Sequence, residues 1–171
     1  MKIQNTSNIH RYTKFALPSW RYIPKYDQHP NKNPHINHIP KLADTALKFS
    51  SENWQKSKRY LYAIDLFNHQ YYWEVHEVLE RLWLESGKKS PEGIFLQGII
   101  QLSVALLKKI QLNTTGTLRL TKKTLPKLHS QQGIYLGIDI EAFIEQYKLF
   151  IDDKTATQLV ITLQFYKNKS I

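Results

Sequence analysis

The sequence has no cysteine, no long apolar run and no nucleotide-binding motif, and each absence narrows the class of protein. Without cysteine among its 171 residues, the chain can form no disulfide and offers no thiolate to a metal ion. It also lacks a phosphate-binding glycine loop, a nucleophile elbow and a dinucleotide-binding fingerprint. No apolar run approaches the roughly 20 residues of a membrane span, and the N-terminus lacks the apolar stretch of a secretion signal. We therefore expect a cytoplasmic protein without a membrane span.

The residues that are present suit a globular chain with an uneven charge distribution. Hydrophobic residues make up 42% of the sequence, which includes four Trp and ten Tyr. The net charge of +10 is unevenly distributed: residues 108–127 hold six bases and no acid, whereas residues 65–85 hold five acids and one base. A basic region of this kind attracts nucleic acid or anionic lipid, or simply serves as a solvated surface. A chain of this length forms one domain with an appendage.

The first 40 residues form the predicted appendage. They hold five of the seven prolines and four of the seven histidines, and proline at this density opposes helices and central strands. Aromatic residues such as Trp20, Tyr22 and Tyr26 make the segment too apolar for a typical disordered tail. We therefore predict an extended arm over residues 1–40 that lies against a single helical domain over residues 41–171.

Helix-capping residues and apolar spacing divide the rest of the chain into helices. The pattern predicts helices over 41–58, from Ser51 to Phe67, from about 71 to Glu85, from Pro91 to Ile110, from Thr114 to about Pro126, and from Asp139 through Phe150. The tail over 158–165 could be extended or helical. The predicted fold is all-α, a compact bundle of five or six helices with short connections.

The helix over residues 71–83 carries the strongest indication of a site. At 100° per residue, one side collects an imidazole, two carboxylates and several aromatic rings, while Glu74, Val75, Val78, Arg81 and Leu82 lie opposite. Charge on an otherwise apolar face is costly unless it is paired or bound. Gln97 and Gln101, four residues apart on the next helix, also need polar partners. We predict a polar, aromatic-lined pocket formed by Asn68, Tyr72, Trp73, His76, Glu77, Glu80, Trp83, Gln97 and Gln101.

Several uses of this pocket remain open at the level of sequence. We predict that Glu77 and Glu80 are buried and face Gln97 or Gln101, either as a structural network or as a small-molecule site. Alternatively, the three residues His76, Glu77 and Glu80 bind manganese, iron or zinc, and His29 or His38 of the arm completes the coordination shell. In this alternative the protein is a metal-dependent enzyme. A third alternative is nucleic-acid binding through Lys108–Lys127. The sequence predicts neither a substrate nor an oligomeric state.

Three blocks of the sequence together resemble the prokaryotic family called domain of unknown function 309. They are Asp65-Leu66-Phe67-Asn68, residues 72–80 (YWEVHEVLE) with Trp83, and residues 95–101 (FLQGIIQ); Asn113, Gly116 and Leu120 are similar to a further block. The resemblance covers residues 60–128, and parts of the arm (Arg21-Tyr22-Ile23-Pro24, His29-Pro30 and His38) resemble longer members. It implies an all-helical fold and no established activity. The chain departs from the family at Gln70, where glycine often follows the Asn-His corner, and near Thr117, where a small residue is usual.

Overall fold

The computed structural model of this chain describes residues 9–29, 32, 39–40, 42, 48–152 and 158–165. Within these ranges it contains five α-helices: α1 (Lys58–Asn68), α2 (Tyr72–Ser86), α3 (Pro91–Ile110), α4 (Thr114–Leu128) and α5 (Ile140–Ile151). One turn of 3₁₀-helix (Trp54–Lys56) precedes α1. A two-residue antiparallel ladder, β1 (Ile134–Tyr135) with β2 (Ile138–Asp139), connects α4 to α5. The predicted all-α bundle is therefore confirmed.

Side-chain oxygens determine where four of the five helices begin. Each accepts a hydrogen bond from a backbone N–H in the first turn, which would otherwise have no partner. The capping residues are Ser57 for α1, Ser90 for α3, Asn113 for α4 and Asp139 for α5. The helix starts predicted at Pro91 and Asp139 are confirmed, whereas the start predicted at Ser51 is wrong because Ser57 caps α1 six residues later.

Two predicted boundaries and one corner differ from the sequence interpretation. Of the helix predicted over 41–58, residues 41 and 43–47 lie outside the described ranges, residues 48–53 are irregular or turn, and the helical part is the 3₁₀ turn Trp54–Lys56 and the first residue of α1, so the predicted α-helix is wrong over the described residues. Pro126 lies inside α4, which continues to Leu128. At the corner between α1 and α2, the left-handed residue is Gln70, with φ of +65°. This is the position where the family often has glycine, which adopts that conformation at no steric cost.

Helix α3 is the centre of the bundle because it packs against both α2 and α4. Its side chains Phe95, Leu96, Ile99 and Leu102 are fully buried. By length and composition α3 is apolar enough to cross a membrane, so the expectation that no run approaches that length is wrong. However, 61% of its apolar window is buried inside the protein, as is usual for the core helix of a bundle.

A buried carboxylate on α1 anchors the N-terminal arm. Asp65 is completely excluded from solvent and accepts hydrogen bonds from the backbone N–H of Tyr12 (2.7 Å) and of Thr13 (2.9 Å). The Thr13 hydroxyl donates a third hydrogen bond at 2.6 Å, and Arg11 Nε lies 3.5 Å from the same carboxylate. Further along the arm, the carbonyls of Ala16 and Pro18 accept hydrogen bonds from tyrosines of the helical body. Over residues 9–29 the arm is thus docked.

The C-terminal segment over residues 158–165 is extended, which answers the question that the sequence left open. Leu159, Ile161 and Leu163 are buried and alternate with more exposed residues, the period of a strand. Asn68 holds this segment through both side-chain atoms: Nδ2 donates to Ile161 O at 2.8 Å, and Oδ1 accepts from Ile161 N at 2.7 Å. The Tyr12 hydroxyl accepts from Leu163 N at 2.8 Å. The N-terminal arm and the C-terminal segment therefore meet over α1.

We expect Asp65→Ala to lower the free energy of unfolding by about 3 kcal/mol, because it leaves three donors and the Arg11 charge without their buried acceptor. Urea denaturation measures the loss, and limited proteolysis should cut within residues 9–29 faster than in the parent chain. Asp139→Ala is the matched control, since it removes one helix cap and should cost about 1 kcal/mol. Equal losses in the two variants would contradict an anchoring role for Asp65.

Candidate site on helix α2

The orientation of α2 differs from the predicted one. Its buried face follows a regular three-and-four spacing through Val75, Val78, Leu79, Leu82 and Ser86. Glu77 and Glu80 are exposed, so the prediction that both are buried and form a shielded network with the α3 glutamines is wrong. The apolar stripe directs the helix into the core, and this rotates the face with the imidazole and the two carboxylates towards the solvent.

On that outer face, three side chains form a compact cluster of metal-ligand types. The ligand atoms of His76, Glu77 and Glu80 all lie within 4.8 Å of one another, and His76 Nδ1 is 3.3 Å from Glu77 Oε1. The hydrogen bond with Glu77 raises the pKa of His76, the negative charges of both glutamates add to this, and partial burial opposes it. The cluster therefore attracts positive charge, which a proton or a metal ion can supply.

Two tryptophans flank the cluster along the same face of α2. The ring of Trp73, one turn before His76, meets the rings of Tyr22 (4.9 Å) and His29 (5.6 Å) edge to face. Trp83, one turn after Glu80, has Lys88 Nζ 5.0 Å above its ring. Aromatic rings thus lie on both sides of the cluster, and the N-terminal arm contributes rings on the Trp73 side.

Two residues predicted to line the site have a buried polar atom without a hydrogen-bond partner among the described residues: the indole Nε1 of Trp83 on α2 and Oε1 of Gln101 on α3. Gln97, also on α3, is half-buried. Buried polar atoms are almost always paired in folded proteins, with protein, water or ligand. Trp83 therefore offers a donor and Gln101 an acceptor that the described part of the chain does not use.

The remaining predicted site residues have other places in the structure. Asn68 is occupied with the C-terminal segment, and Tyr72 is buried in the core against Phe67, with ring centroids 5.6 Å apart. His38 lies outside the described residues. His29 packs on Trp73 but is not a member of the cluster of ligand atoms found within the described part of the chain.

Glu74 on α2 is a buried carboxylate. It lies on the face opposite the predicted site, and that face is the one that packs into the core. It is 4% exposed, and its Oε1 accepts a hydrogen bond from Tyr22 N at 2.9 Å, whereas Oε2 is buried without a partner among the described residues. Burial raises the pKa of Glu74 to about 7; the Tyr22 N–H and the charge of Arg21 oppose the rise, and the charge of Glu77 adds to it. The arm buries Glu74 from 52 residues away, so no helical periodicity could indicate it.

The basic region over Lys108–Lys127 is divided between the end of α3 and the exposed face of α4. Lys108 Nζ donates to Gln111 Oε1 at 3.0 Å, and Lys109 Nζ lies 5.4 Å above the Phe150 ring. Arg119, Lys122 and Lys123 are exposed on α4. The positive charges on α4 therefore face the solvent.

Fold and site together define an all-α domain with an open, carboxylate-rich cluster on its second helix. Residues 60–120 match the family model described as Domain of unknown function (DUF309), which supports the resemblance that the sequence blocks indicated. The match runs from α1 into α4 and includes the whole cluster. Searches of curated proteins and of solved structures gave no match. The description of this family names no activity.

We expect the stability of the protein to depend on pH through Glu74. Because its pKa is raised from 4.5 to about 7, the unfolded chain releases this proton first as pH rises, and the free energy of unfolding falls between pH 4.5 and 7 and then levels off. Glu74→Gln keeps the acceptor for Tyr22 N and removes the charge. The variant should gain about 2 kcal/mol over the parent across this interval.

The measurement is urea denaturation at several pH values in the presence of a chelator, so that metal binding does not contribute. Glu85→Gln is the control, since Glu85 is exposed on the same helix and should leave the pH profile unchanged. A profile for Glu74→Gln that runs parallel to that of the parent would show that Glu74 titrates normally in the folded state.

Proposed function

We propose that the protein is a binding domain that holds a divalent metal ion on the outer face of α2 through His76, Glu77 and Glu80. The observation that carries this proposal is the mutual distance of the three ligand atoms, at most 4.8 Å. Ligands at about 2.1 Å from one ion lie roughly 3 to 4 Å apart. The present spacing therefore needs only small rotamer changes, which partly exposed side chains make at little cost.

The spacing along the helix explains how one element supplies all three ligands. His76 and Glu80 are four residues apart and therefore project from the same side of α2. Glu77 follows His76 directly and reaches the same point through its longer side chain, as the 3.3 Å approach to His76 Nδ1 indicates. One imidazole and two carboxylates suit manganese, iron or zinc.

Three protein ligands from one exposed helix leave coordination positions open for a small molecule. The donor on Trp83 and the acceptor on Gln101 lie on the two helices that border the cluster, and neither has a partner among the residues described. Metal sites of this open type hold water or substrate in the free position, and the Trp83 donor, one turn beyond Glu80 on α2, is the polar group of this pair that follows the cluster along the same helix. A small oxygen-containing molecule bound beside the metal is therefore the class of ligand that we favour.

Metal binding predicts a specific pattern among variants of α2. After removal of metal with a chelator, titration calorimetry with Mn²⁺, Co²⁺ and Zn²⁺ should show one site per chain. His76→Asn and Glu80→Gln should each weaken binding about ten-fold or more, since loss of even a supporting residue commonly costs about that much. Saturating metal should raise the melting temperature of the parent chain and leave the melting temperatures of these two variants unchanged.

The matched control is Glu85→Gln, which removes an exposed carboxylate one turn beyond the cluster that pairs with Arg81 at 2.8 Å. It should bind metal as the parent chain does. Equal affinity in the parent, Glu80→Gln and Glu85→Gln would mean that the metal binds elsewhere, and failure of all three metals to bind at millimolar concentration would refute the proposal.

A further inference from the structure

Two turns of the chain meet at the C-terminal end of α3. The arm turns over residues 23–27, where Tyr26 N and Asp27 N both donate to Ile23 O at 3.1 Å. The connection after α3 turns at Gln111, whose Nε2 donates to Pro24 O at 2.7 Å. Lys108 Nζ holds the other side of the Gln111 amide at 3.0 Å. The two turns therefore form one fixed end of the protein.

This end presents apolar side chains to the solvent. Tyr26 is 70% exposed and Leu112 is 86% exposed, and Leu118 on the second turn of α4 is 49% exposed. Leu112 also has φ of +54°, a left-handed conformation that residues other than glycine and asparagine rarely adopt. Single exposed leucines are ordinary, but apolar side chains grouped on one fixed end commonly mark a contact surface. We call Tyr26, Leu112 and Leu118 the apolar tip.

Positive charge lies beside the apolar tip. Lys25 is exposed beside Tyr26, and Arg119 and Lys122 are exposed on α4, where Lys122 lies one turn beyond Leu118. The acid in the arm turn, Asp27, uses its carboxylate to accept a hydrogen bond from Ile23 N at 2.7 Å. Residues 108–127 contain no acid at all. The arm turn and the exposed face of α4 therefore carry positive charge beside these apolar side chains.

We propose that the apolar tip and its neighbouring lysines and arginine bind the surface of an anionic lipid bilayer. Leucine and tyrosine enter the boundary between headgroups and acyl chains, while the basic side chains remain at the level of the anionic headgroups. A nucleic acid would use the same charges, but it gains affinity from stacking and from polar contacts, which an aliphatic leucine does not supply. The exposure of Leu112 therefore favours lipid over nucleic acid.

Co-sedimentation of the full chain with lipid vesicles tests this proposal. Binding should be strong with vesicles of phosphatidylcholine containing phosphatidylglycerol, weak with phosphatidylcholine alone, and reduced by added salt. Lys122→Glu should weaken binding to anionic vesicles about five-fold or more, and Leu112→Ser should weaken it several-fold. The matched controls are Lys89→Glu and Leu84→Ser, at exposed positions near the connection between α2 and α3. Both should leave binding to anionic vesicles unchanged.

The absence of native cysteine permits a direct measurement of insertion. A polarity-sensitive fluorophore on Leu112→Cys should shift to shorter wavelength with anionic vesicles, and the same label on Leu84→Cys should not shift. Equal vesicle binding by Leu112→Ser and Leu84→Ser, or an unshifted label at position 112, overturns the proposal. A different result would assign the surface to nucleic acid instead: the protein binds RNA and not anionic vesicles, and Lys122→Glu abolishes the RNA binding whereas Leu112→Ser does not.

Discussion

A carboxylate that is fully removed from water must receive hydrogen bonds or a counter-charge, and Asp65 imposes this requirement on the whole structure. Among the described residues, the arm meets it: the backbone N–H groups of Tyr12 and Thr13 and the Thr13 hydroxyl donate to Asp65, and the guanidinium of Arg11 lies nearby. Once residues 11–13 are fixed on α1, the following residues of the arm run along the helical body. Its aromatic residues then reach Trp73, and its turn reaches Gln111. The border of the α2 site and the apolar tip are both consequences of this one anchoring contact.

The two buried carboxylates, Asp65 and Glu74, show how the same arm produces different chemistry. Asp65 is surrounded by donors from residues 11–13, so its charge is compensated. Glu74 receives a single backbone hydrogen bond from Tyr22, and its second oxygen has no partner among the residues that the structure describes. Its pKa consequently rises to about 7. A group that changes its charge near neutral pH thus lies directly below the arm and two residues before the proposed metal ligand His76.

Local patterns predicted the helices well and the face of the central helix poorly. The caps at Ser90 and Asp139 were visible because capping depends on a few neighbouring residues. The orientation of α2 was not, because His76, Glu77 and Glu80 were assigned to the buried side although the stripe from Val75 to Leu82 fits the core better. The burial of Glu74 and the role of Asn68 depend on segments 52 and 93 residues away in the chain. Such contacts leave no periodic signal, and the family blocks indicated that these residues matter without indicating why.

The meeting of the N-terminal arm and the C-terminal segment over α1 also has a consequence for the order of folding. The hydrogen bond between Tyr12 and Leu163 joins residues 151 positions apart, whereas α2, α3 and α4 are successive helices with short connections. Contacts of low sequence separation form quickly, and closure of a long loop is slow. The helical hairpins should therefore assemble first, with α1 still open on the side that carries Asp65 and Asn68. On the ribosome, Asn68 would keep its contact with water until residues 158–165 have emerged, whereas the partners of Asp65 in residues 11–13 are synthesised before α1.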